Sequence, residues 1–435
     1  MEQQASFFGD YRLDQASRFI HDRLTSQGPD GISVRRLGGT RAGEIRIGRF
    51  LRNDKVSEER IIEPAVAATS SRVAGLHVLS IQDTTSFRDD GRGNSLVGHA
   101  TIAVEAEQGT LLGLLDGQLI ERHQDDPELP SGRSFCDRQS CRWMASMNRS
   151  AELLGEASMV TVVADREADI YEMFACRPGS VEVLIRASHD RVVEGGAGKL
   201  FACLGNRPSE EHEVVLPARP GQKKRTARLA VRFGLVTIRH PRNRAPEEGV
   251  PREQQVCLVE AFEVSPPKGV SAIHWRLLTS HGVEGFDQAR WIIQLYRQRW
   301  IIEQLFRTIK TQGFDIERVS MATAPFRNLC AMTLVAGVSC LQLVQDRDGE
   351  GNRPLEDVFV SADREALEAV SVTLEGRTAK QKNPHPEGSL AFAAWVCARL
   401  GGWNCYYGKP GPVVMLRGLY KFRAIQLGYD LGGNV

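Results

Sequence analysis

The sequence predicts a mixed α/β protein, in which a sheet packed with helices is interrupted by a β-rich segment and flanked by helical regions. Up to residue 187, apolar runs of strand length alternate with runs at helical spacing. Between residues 188 and 275 the helical spacing disappears, and short strand-like runs are separated by Gly and Pro clusters. The first 70 residues and residues 346–435 read as helices.

The composition is that of an ordinary globular protein of about two to four structural units. The chain has 435 residues, of which 42% are hydrophobic and 25% charged. No apolar run approaches the roughly 18 residues that cross a bilayer, and the polar start lacks a signal-peptide layout, so we expect a cytoplasmic protein that makes no membrane contact. Nine cysteines without a CxxC pair argue against a disulfide framework and a zinc site.

The net charge of +1 conceals two basic stretches. Residues 31–60 hold eight basic and four acidic residues, with Arg49 and Arg52 among them. Residues 217–244 hold nine basic and no acidic residues, including Arg225 and Arg228. Such stretches are typical of proteins that bind a phosphate backbone. A solvated surface would look the same when taken alone.

The N-terminal region, residues 1–70, is predicted to form a small helical domain. Helical spacing covers Leu13–Leu24 and Glu44–Asn53, a third helix begins near Val56, and Asp30–Arg41 reads as a Gly- and Arg-rich break. Arginines on one helix could place it in a DNA groove. A helical cap on the next domain is an equally good interpretation.

Two aspartates follow predicted buried strands in the next region. The predicted elements are strands at Leu76–Ile81, Thr101–Val104, Leu111–Leu119, Met159–Ala164 and Val181–Ile185, with helices at Gln139–Leu154 and Glu167–Phe174. This is the order of the ribonuclease H-like fold, and Asp83 and Asp165 stand at carboxyl ends of strands, where sites of open α/β sheets lie. Alternatively, Asp83 is a turn former and Asp165 a helix N-cap.

The remaining elements complete a four-part domain prediction. The β-rich insertion, residues 188–275, contains strands at Glu213–Leu216, Thr226–Phe233, Leu235–Ile238, Val256–Phe262 and Ile273–Leu278. The catalytic core would comprise residues 71–187 and 276–345, ending in a long apolar helix at Ala324–Val344. Asp346–Pro354 reads as a linker to a C-terminal helical domain, residues 346–435.

One predicted helix, residues 291–310, carries four polar side chains on a single stripe. At 100° per residue, Tyr296, Arg299, Glu303 and Lys310 fall within about 60° of one another. A carboxylate among a phenol, a guanidinium and an ammonium suits a long, negative, metal-bound ligand such as nucleic acid. The alternative is a solvated helix face with ordinary i,i+4 ion pairs.

Several blocks resemble those of one protein family. The Tyr296, Arg299, Glu303 and Lys310 spacing, with IQDTTS (81–86), ADREADI (164–170) and GSLAFAAWVCARLGG (388–402), is similar to bacterial insertion-sequence cut-and-paste DDE transposases with the Y-R-E-K signature. GDxR at 9–12 and RFLRN at 49–53 resemble that family's end-recognition domain. One departure is Gln139, where the family pattern has Glu.

The resemblance implies an activity and a site. Asp83, Asp165 and Glu303 would ligate two Mg²⁺ ions, with Mn²⁺ as a substitute. The reaction would comprise first-strand nicking, hairpin formation and opening, and strand transfer into target DNA. Tyr296, Arg299 and Lys310 would grip phosphates. Trp275 would hold a flipped base, although a core tryptophan is the alternative.

The resemblance also implies an assembly, and two other function classes stay open. A homodimer would pair two transposon ends through the C-terminal domain, where the apolar segment Leu390–Leu400 with Trp395 and Trp403 suggests a dimer helix; intramolecular packing is the alternative. One rival function is a catalytically silent DNA-binding relative or inhibitor, and the intact acids speak against it. The other is a metal-dependent structure-specific nuclease, which would not need the β-rich insertion.

Overall fold

A computed structural model describes residues 7–26, 31–89, 91, 94–122, 140–194, 198–216, 225–242 and 249–432, with the backbone alone for 427–432. The helices are α1 Tyr11–Thr25, α2 Val34–Gly38, α3 Arg41–Leu51, α4 Glu58–Ser70, α5 Cys141–Leu153, α6 Tyr171–Ala175, α7 Phe286–Arg297, α8 Trp300–Lys310, α9 Thr323–Asp346, α10 Asp363–Leu374, α11 Leu390–Leu400 and α12 Pro412–Gly432. The strands are β1 His77–Asp89, β2 Ser95–Glu105, β3 Leu111–Arg122, β4 Met159–Ala164, β5 Val181–Arg186, β6 Glu210–Leu216, β7 Arg225–Arg239, β8 Glu253–Glu263 and β9 His274–Thr279.

The described strands form one mixed sheet. Its order is β3-β2-β1-β4-β5-β9-β8-β7-β6. β4 runs parallel to both β1 and β5, whereas β2 with β3 and all pairs from β5 to β6 are antiparallel. The first five positions, β3-β2-β1-β4-β5, have the ribonuclease H-like order. The predicted α/β class, a large mixed sheet with helical flanks, is therefore confirmed.

The chain divides into two compact units. The first comprises Met1–Arg72, Thr84–Gln124 and Ile301–Val435, and the second comprises Val73–Asp83 and Asp125–Trp300. The second unit holds the predicted insertion, whose strands do not form a separate sheet: β9 pairs with β5 and β8 continues from β9. The four-part domain division stays a prediction.

Several strands, β1 and β7 among them, are longer than the sequence predicts. β1 continues past Ile81 to Asp89, because its second half has left β4 and is flanked by β2 in the sheet. β7 joins two predicted strands through Gly234. A Cβ at Gly234 would lie 3.0 Å from a methyl carbon of Leu204, so this glycine permits close packing within the strand and does not end it.

The N-terminal part of the first unit is helical, as predicted. Asp10, Thr40 and Ser57 each accept a backbone N–H at the start of α1, α3 and α4, which satisfies donors that a helix leaves open. The five-residue helix α2 lies in the predicted break. A helix of five residues is too short for the spacing of its apolar side chains to be detected in the sequence.

The longest helix in the described residues, α9, is the centre of the first unit. It packs against α1, α3, α4 and β3 and against α11 and α12. α9 is long and apolar enough to cross a membrane by length and composition, and 83% of its most apolar window is buried in the protein. The prediction that no apolar run approaches membrane-spanning length is therefore wrong. Thr, Ser and Gln interrupt the apolar residues of α9 without making the helix polar as a whole.

Helix α11 is buried on all sides within the same unit. Leu390 to Ala398 are each at most 6% exposed, Trp395 among them, and the helix packs on α9, α10 and α12. Intramolecular packing, the alternative interpretation of this segment, is what the structure has. The Trp403 indole donates to the carbonyl of Gly408 at 2.9 Å.

Candidate active site

Asp83 and Asp165 lie at corresponding positions of two neighbouring parallel strands. Ile81 pairs with Val163 in the β1–β4 ladder, and each aspartate follows two residues later. Neighbouring parallel strands are about 4.8 Å apart, so the two aspartates lie close together on adjacent strands. Asp165 stands directly after β4, as predicted. Asp83 lies inside β1 and not at its end, at the point where β4 stops and β1 continues.

Asp165 also caps a turn. Its carboxylate accepts the backbone N–H of Glu167 at 2.9 Å, at the start of a 3-10 turn over Arg166–Ala168. The alternative interpretation of Asp165 as an N-cap is thus correct as well. A capping bond fixes the direction of the carboxylate at the strand end, so the cap and a ligand role are compatible.

The predicted helix over residues 291–310 is two helices. α7 ends at Arg297 and α8 begins at Trp300. The amides of Gln298 and Arg299 bond to carbonyls three residues earlier, on Leu295 and Tyr296, which is the tightening typical of a helix end. The single straight stripe calculated from 100° per residue is therefore wrong, because Arg299 lies in the turn between the helices.

Arg299 pairs with Asp83 in the second unit. Its Nη1 lies 2.9 Å from Asp83 Oδ2, and the two side chains are 16% and 13% exposed. The guanidinium carbon also lies 5.9 Å from the centre of the Tyr296 ring. The first predicted acid and the predicted arginine are therefore brought together.

Tyr296 and Trp275 are in contact. Their ring centres lie 5.9 Å apart in an edge-to-face arrangement, Tyr296 is buried and Trp275 half-buried. Burial raises the pKa of the Tyr296 phenol, while the charges of Arg299 and Arg186 act to lower it. The phenol therefore stays protonated and can donate a hydrogen bond.

Glu303 and Lys310 belong to the first unit. Glu303 is half-buried in the first turn of α8. Lys310 Nζ donates to the Ser86 carbonyl at 2.7 Å and lies 2.8 Å from a Glu317 oxygen. Within the described ranges, no group of three or more His, Cys, Asp or Glu side chains is arranged to hold a metal ion, so the complete triad stays a prediction.

The other predicted DNA contacts differ in their availability. Arg225 forms a two-bond ion pair with Glu263, and Arg228 pairs with Glu211 at 3.2 Å. In the first unit, the surface of α3 borders an open groove of about 830 Å³, lined by Arg41, Glu44, Ile45, Gly48, Arg49, Arg52, Asn53, Asp54 and Lys55. Arg49 and Arg52 are exposed there. Gln139 lies outside the described residues.

Arg186 is a site residue that the sequence analysis missed. Ile185 pairs with Ala164, so Arg186 is one step beyond that pair in β5, as Asp165 is in β4. Its Nη2 donates to the His274 carbonyl at 2.9 Å. Burial lowers the pKa of Arg186, while the neighbouring Tyr296 opposes that shift. The rule that selects polar residues at carboxyl ends of strands would have found it.

Asp169, the second aspartate of ADREADI, was also missed. Its side chain is fully buried and pairs with Arg191. It also accepts the backbone N–H groups of Ser188 and His189 at 2.7 and 2.9 Å. Asp169 thus fixes the backbone that follows Arg186 in the chain. This helps to hold the Arg186 guanidinium in its position.

The strand order and the two aspartates beside the β1–β4 pair are consistent with a ribonuclease H-like fold. Residues 235–341 match the family model described as transposase DDE domain. This part of the chain is thus similar to the DDE domain of transposases, and the similarity indicates an enzyme of the polynucleotidyl transferase and endonuclease type. The matched stretch contains Trp275, Tyr296, Arg299, Glu303 and Lys310. Asp83 and Asp165 precede it.

Proposed function

We propose that the protein cuts double-stranded DNA at the inverted-repeat ends of its own insertion sequence and joins those ends to target DNA. The reaction would run through first-strand nicking, a hairpin, hairpin opening and strand transfer, as in Y-R-E-K transposases. The observation that supports the proposal most is the ion pair between Asp83 and Arg299 beside Asp165, at the point where β4 ends and β1 continues without it.

The donor set fits hard divalent cations. Asp83, Asp165 and Glu303 would hold two Mg²⁺ ions, with Mn²⁺ as a substitute, since all three offer carboxylate oxygens. When bound, such ions assist in-line displacement at phosphorus by acting on the attacking and leaving oxygens. Asp83 already has a guanidinium at 2.9 Å, so a cationic group at this carboxylate is compatible with the surrounding side chains.

The chain's own residues would orient the DNA strand. Arg299 and Arg186 carry planar guanidinium groups that suit two phosphate oxygens at once, and the protonated Tyr296 phenol can donate a further hydrogen bond. Trp275 would take the face of an extruded base and replace its lost stacking. Lys310 would contact phosphate from the first unit.

DNA ends would be recognised outside the catalytic strands. The exposed Arg49 and Arg52 beside the groove on α3 suit phosphate or groove contacts, while Arg225 and Arg228 would first have to leave their carboxylate partners. We propose a homodimer that pairs two ends. Its interface would not be α11, which is buried within its own unit.

The test uses the DNA that flanks the coding region. Radiolabelled duplexes with the inverted repeats are incubated with the protein and Mg²⁺, and the products are separated on denaturing gels. Nicks at the repeat boundary followed by hairpins support the proposal. Binding without cleavage would favour the silent relative, and cleavage that follows DNA structure and ignores the repeats would favour the nuclease. Light scattering of the paired-end complex measures the number of protomers.

A further inference from the structure

The contact between Arg299 and Asp83 bears on the order in which DNA and metal bind. Arg299 Nη1 is 2.9 Å from Asp83 Oδ2, and both side chains are largely buried. Asp83 is also a proposed metal ligand. Two positive groups would therefore compete for one carboxylate, and the repulsion between them is strong where little water screens it.

The position of Arg299 allows it to exchange partners. It lies in the two-residue turn between α7 and α8, and its long side chain has several rotatable bonds through which the guanidinium can move. On the side of Tyr296 it already contacts the aromatic ring at 5.9 Å. A guanidinium that loses a carboxylate finds an equivalent two-oxygen partner in a phosphate.

We propose that Arg299 is the counter-ion of Asp83 in the DNA-free protein and blocks tight metal binding until a DNA phosphate draws it away. This inference rests on the proposed metal role of Asp83. It makes DNA the signal that opens the site to metal, so that free protein does not assemble a cleavage-competent centre.

Metal affinity without DNA tests the proposal. Mn²⁺ is titrated into the full-length DNA-free protein, and free Mn²⁺ is measured by its electron paramagnetic resonance signal. Arg299→Gln should bind Mn²⁺ at least about five-fold more tightly than wild type, the lower end of typical coupling between two sites. Arg299→Lys keeps a cation near Asp83 and should bind Mn²⁺ about as tightly as wild type. It provides a second measurement if the Arg299→Gln protein folds poorly.

Arg297→Gln is the matched control. It removes the same charge two residues away from an exposed side chain that donates to the Val215 carbonyl. If it tightens Mn²⁺ binding as much as Arg299→Gln does, a general charge effect explains the result and the proposal is overturned. Unchanged or weaker binding by a folded Arg299→Gln protein overturns it as well.

A double variant separates this inference from the proposed function. Asp83→Asn in the Arg299→Gln background should remove the added Mn²⁺ affinity. If the added affinity persists, Asp83 is not the ligand that Arg299 blocks and the inference fails, whether or not the protein cleaves DNA. Cleavage assays answer the other question, since a protein without cleavage activity can still show the exchange.

Discussion

Two carboxylates of the second unit, Asp83 and Glu260, are neutralised in different ways. Asp83 pairs with Arg299, which comes from a turn between helices. Glu260, in β8, accepts hydrogen bonds from Arg232 at 2.6 Å, His274 at 2.7 Å and Arg276 at 3.0 Å. Arg232 and Arg276 are the direct cross-strand partners of Glu260 in β7 and β9.

The difference lies in what holds the cationic partners of each carboxylate. Burial alone would raise the pKa of Glu260, but hydrogen bonds from Arg232 and His274 lower it. Because strand register fixes these donors, Glu260 has no oxygen to offer a ligand. Asp83 has a guanidinium partner that a change in one turn can remove. The proposed exchange of partners at Asp83 depends on this difference.

The largest expected effect distinguishes the functional acids. Asp83→Asn, Asp165→Asn and Glu303→Gln should each reduce Mg²⁺-dependent cleavage at least about a thousandfold, because residues that act as one catalytic unit cannot replace each other. End binding, measured by gel shift, should persist because it depends on basic residues. Substantial cleavage by one variant would remove that residue from the site.

Glu260→Gln should act on stability. Leaving Arg232 and Arg276 without their buried carboxylate is expected to lower the free energy of unfolding by about 3 kcal/mol, measured by urea denaturation. The control is Glu211→Gln, which breaks the exposed pair with Arg228 and should cost less than about 1 kcal/mol. Loss of cleavage in a Glu260→Gln protein of wild-type stability would contradict the structural assignment.

A carboxylate without in-register cations should behave in the opposite way with pH. In the first unit, burial raises the pKa of Asp346 to about 6, although Arg353 opposes the shift. The folded state therefore prefers the protonated acid, and its contribution to stability falls as the pH rises from about 4 to about 6.

The corresponding variant is Asp346→Asn. It should match wild type in stability near pH 4 and exceed it by about 1 to 2 kcal/mol at pH 7 to 8, after allowing for solvent screening. Thermal unfolding across this pH range measures the difference. A difference that does not change with pH would contradict the assignment.

Trp275 lies between the ion cluster of Glu260 and the aromatic ring beside Arg299. Its β9 neighbours His274 and Arg276 bind Glu260, while its own ring contacts Tyr296. Trp275→Ala should slow hairpin formation about tenfold or more, the loss expected from one stacked base, and leave first-strand nicking nearly unchanged. Single-turnover assays resolve the two steps. Equal slowing of both, with a lowered melting temperature, would assign Trp275 to the core.

The sequence by itself determined the class of fold and the positions of the acids. The run from Met159 to Ala164 is β4 in full, because a continuous apolar run between polar breaks encodes a buried strand locally. The apolar helix α9 was likewise predicted from the sequence, as Ala324–Val344, and runs from Thr323 to Asp346. Asp165 could be selected because it directly follows such a run and stands at the end of β4, whereas the same rule placed Asp83 at the end of a strand that continues to Asp89.

Only the tertiary structure decided which partner each of these groups has. The extension of β1 to Asp89 and the burial of α11 depend on segments distant in the chain. Periodicity records which face of an element is apolar, but it does not record what covers that face. The pairing of Arg299 with Asp83 spans 216 residues, and no local pattern specifies a contact between segments that only folding brings together.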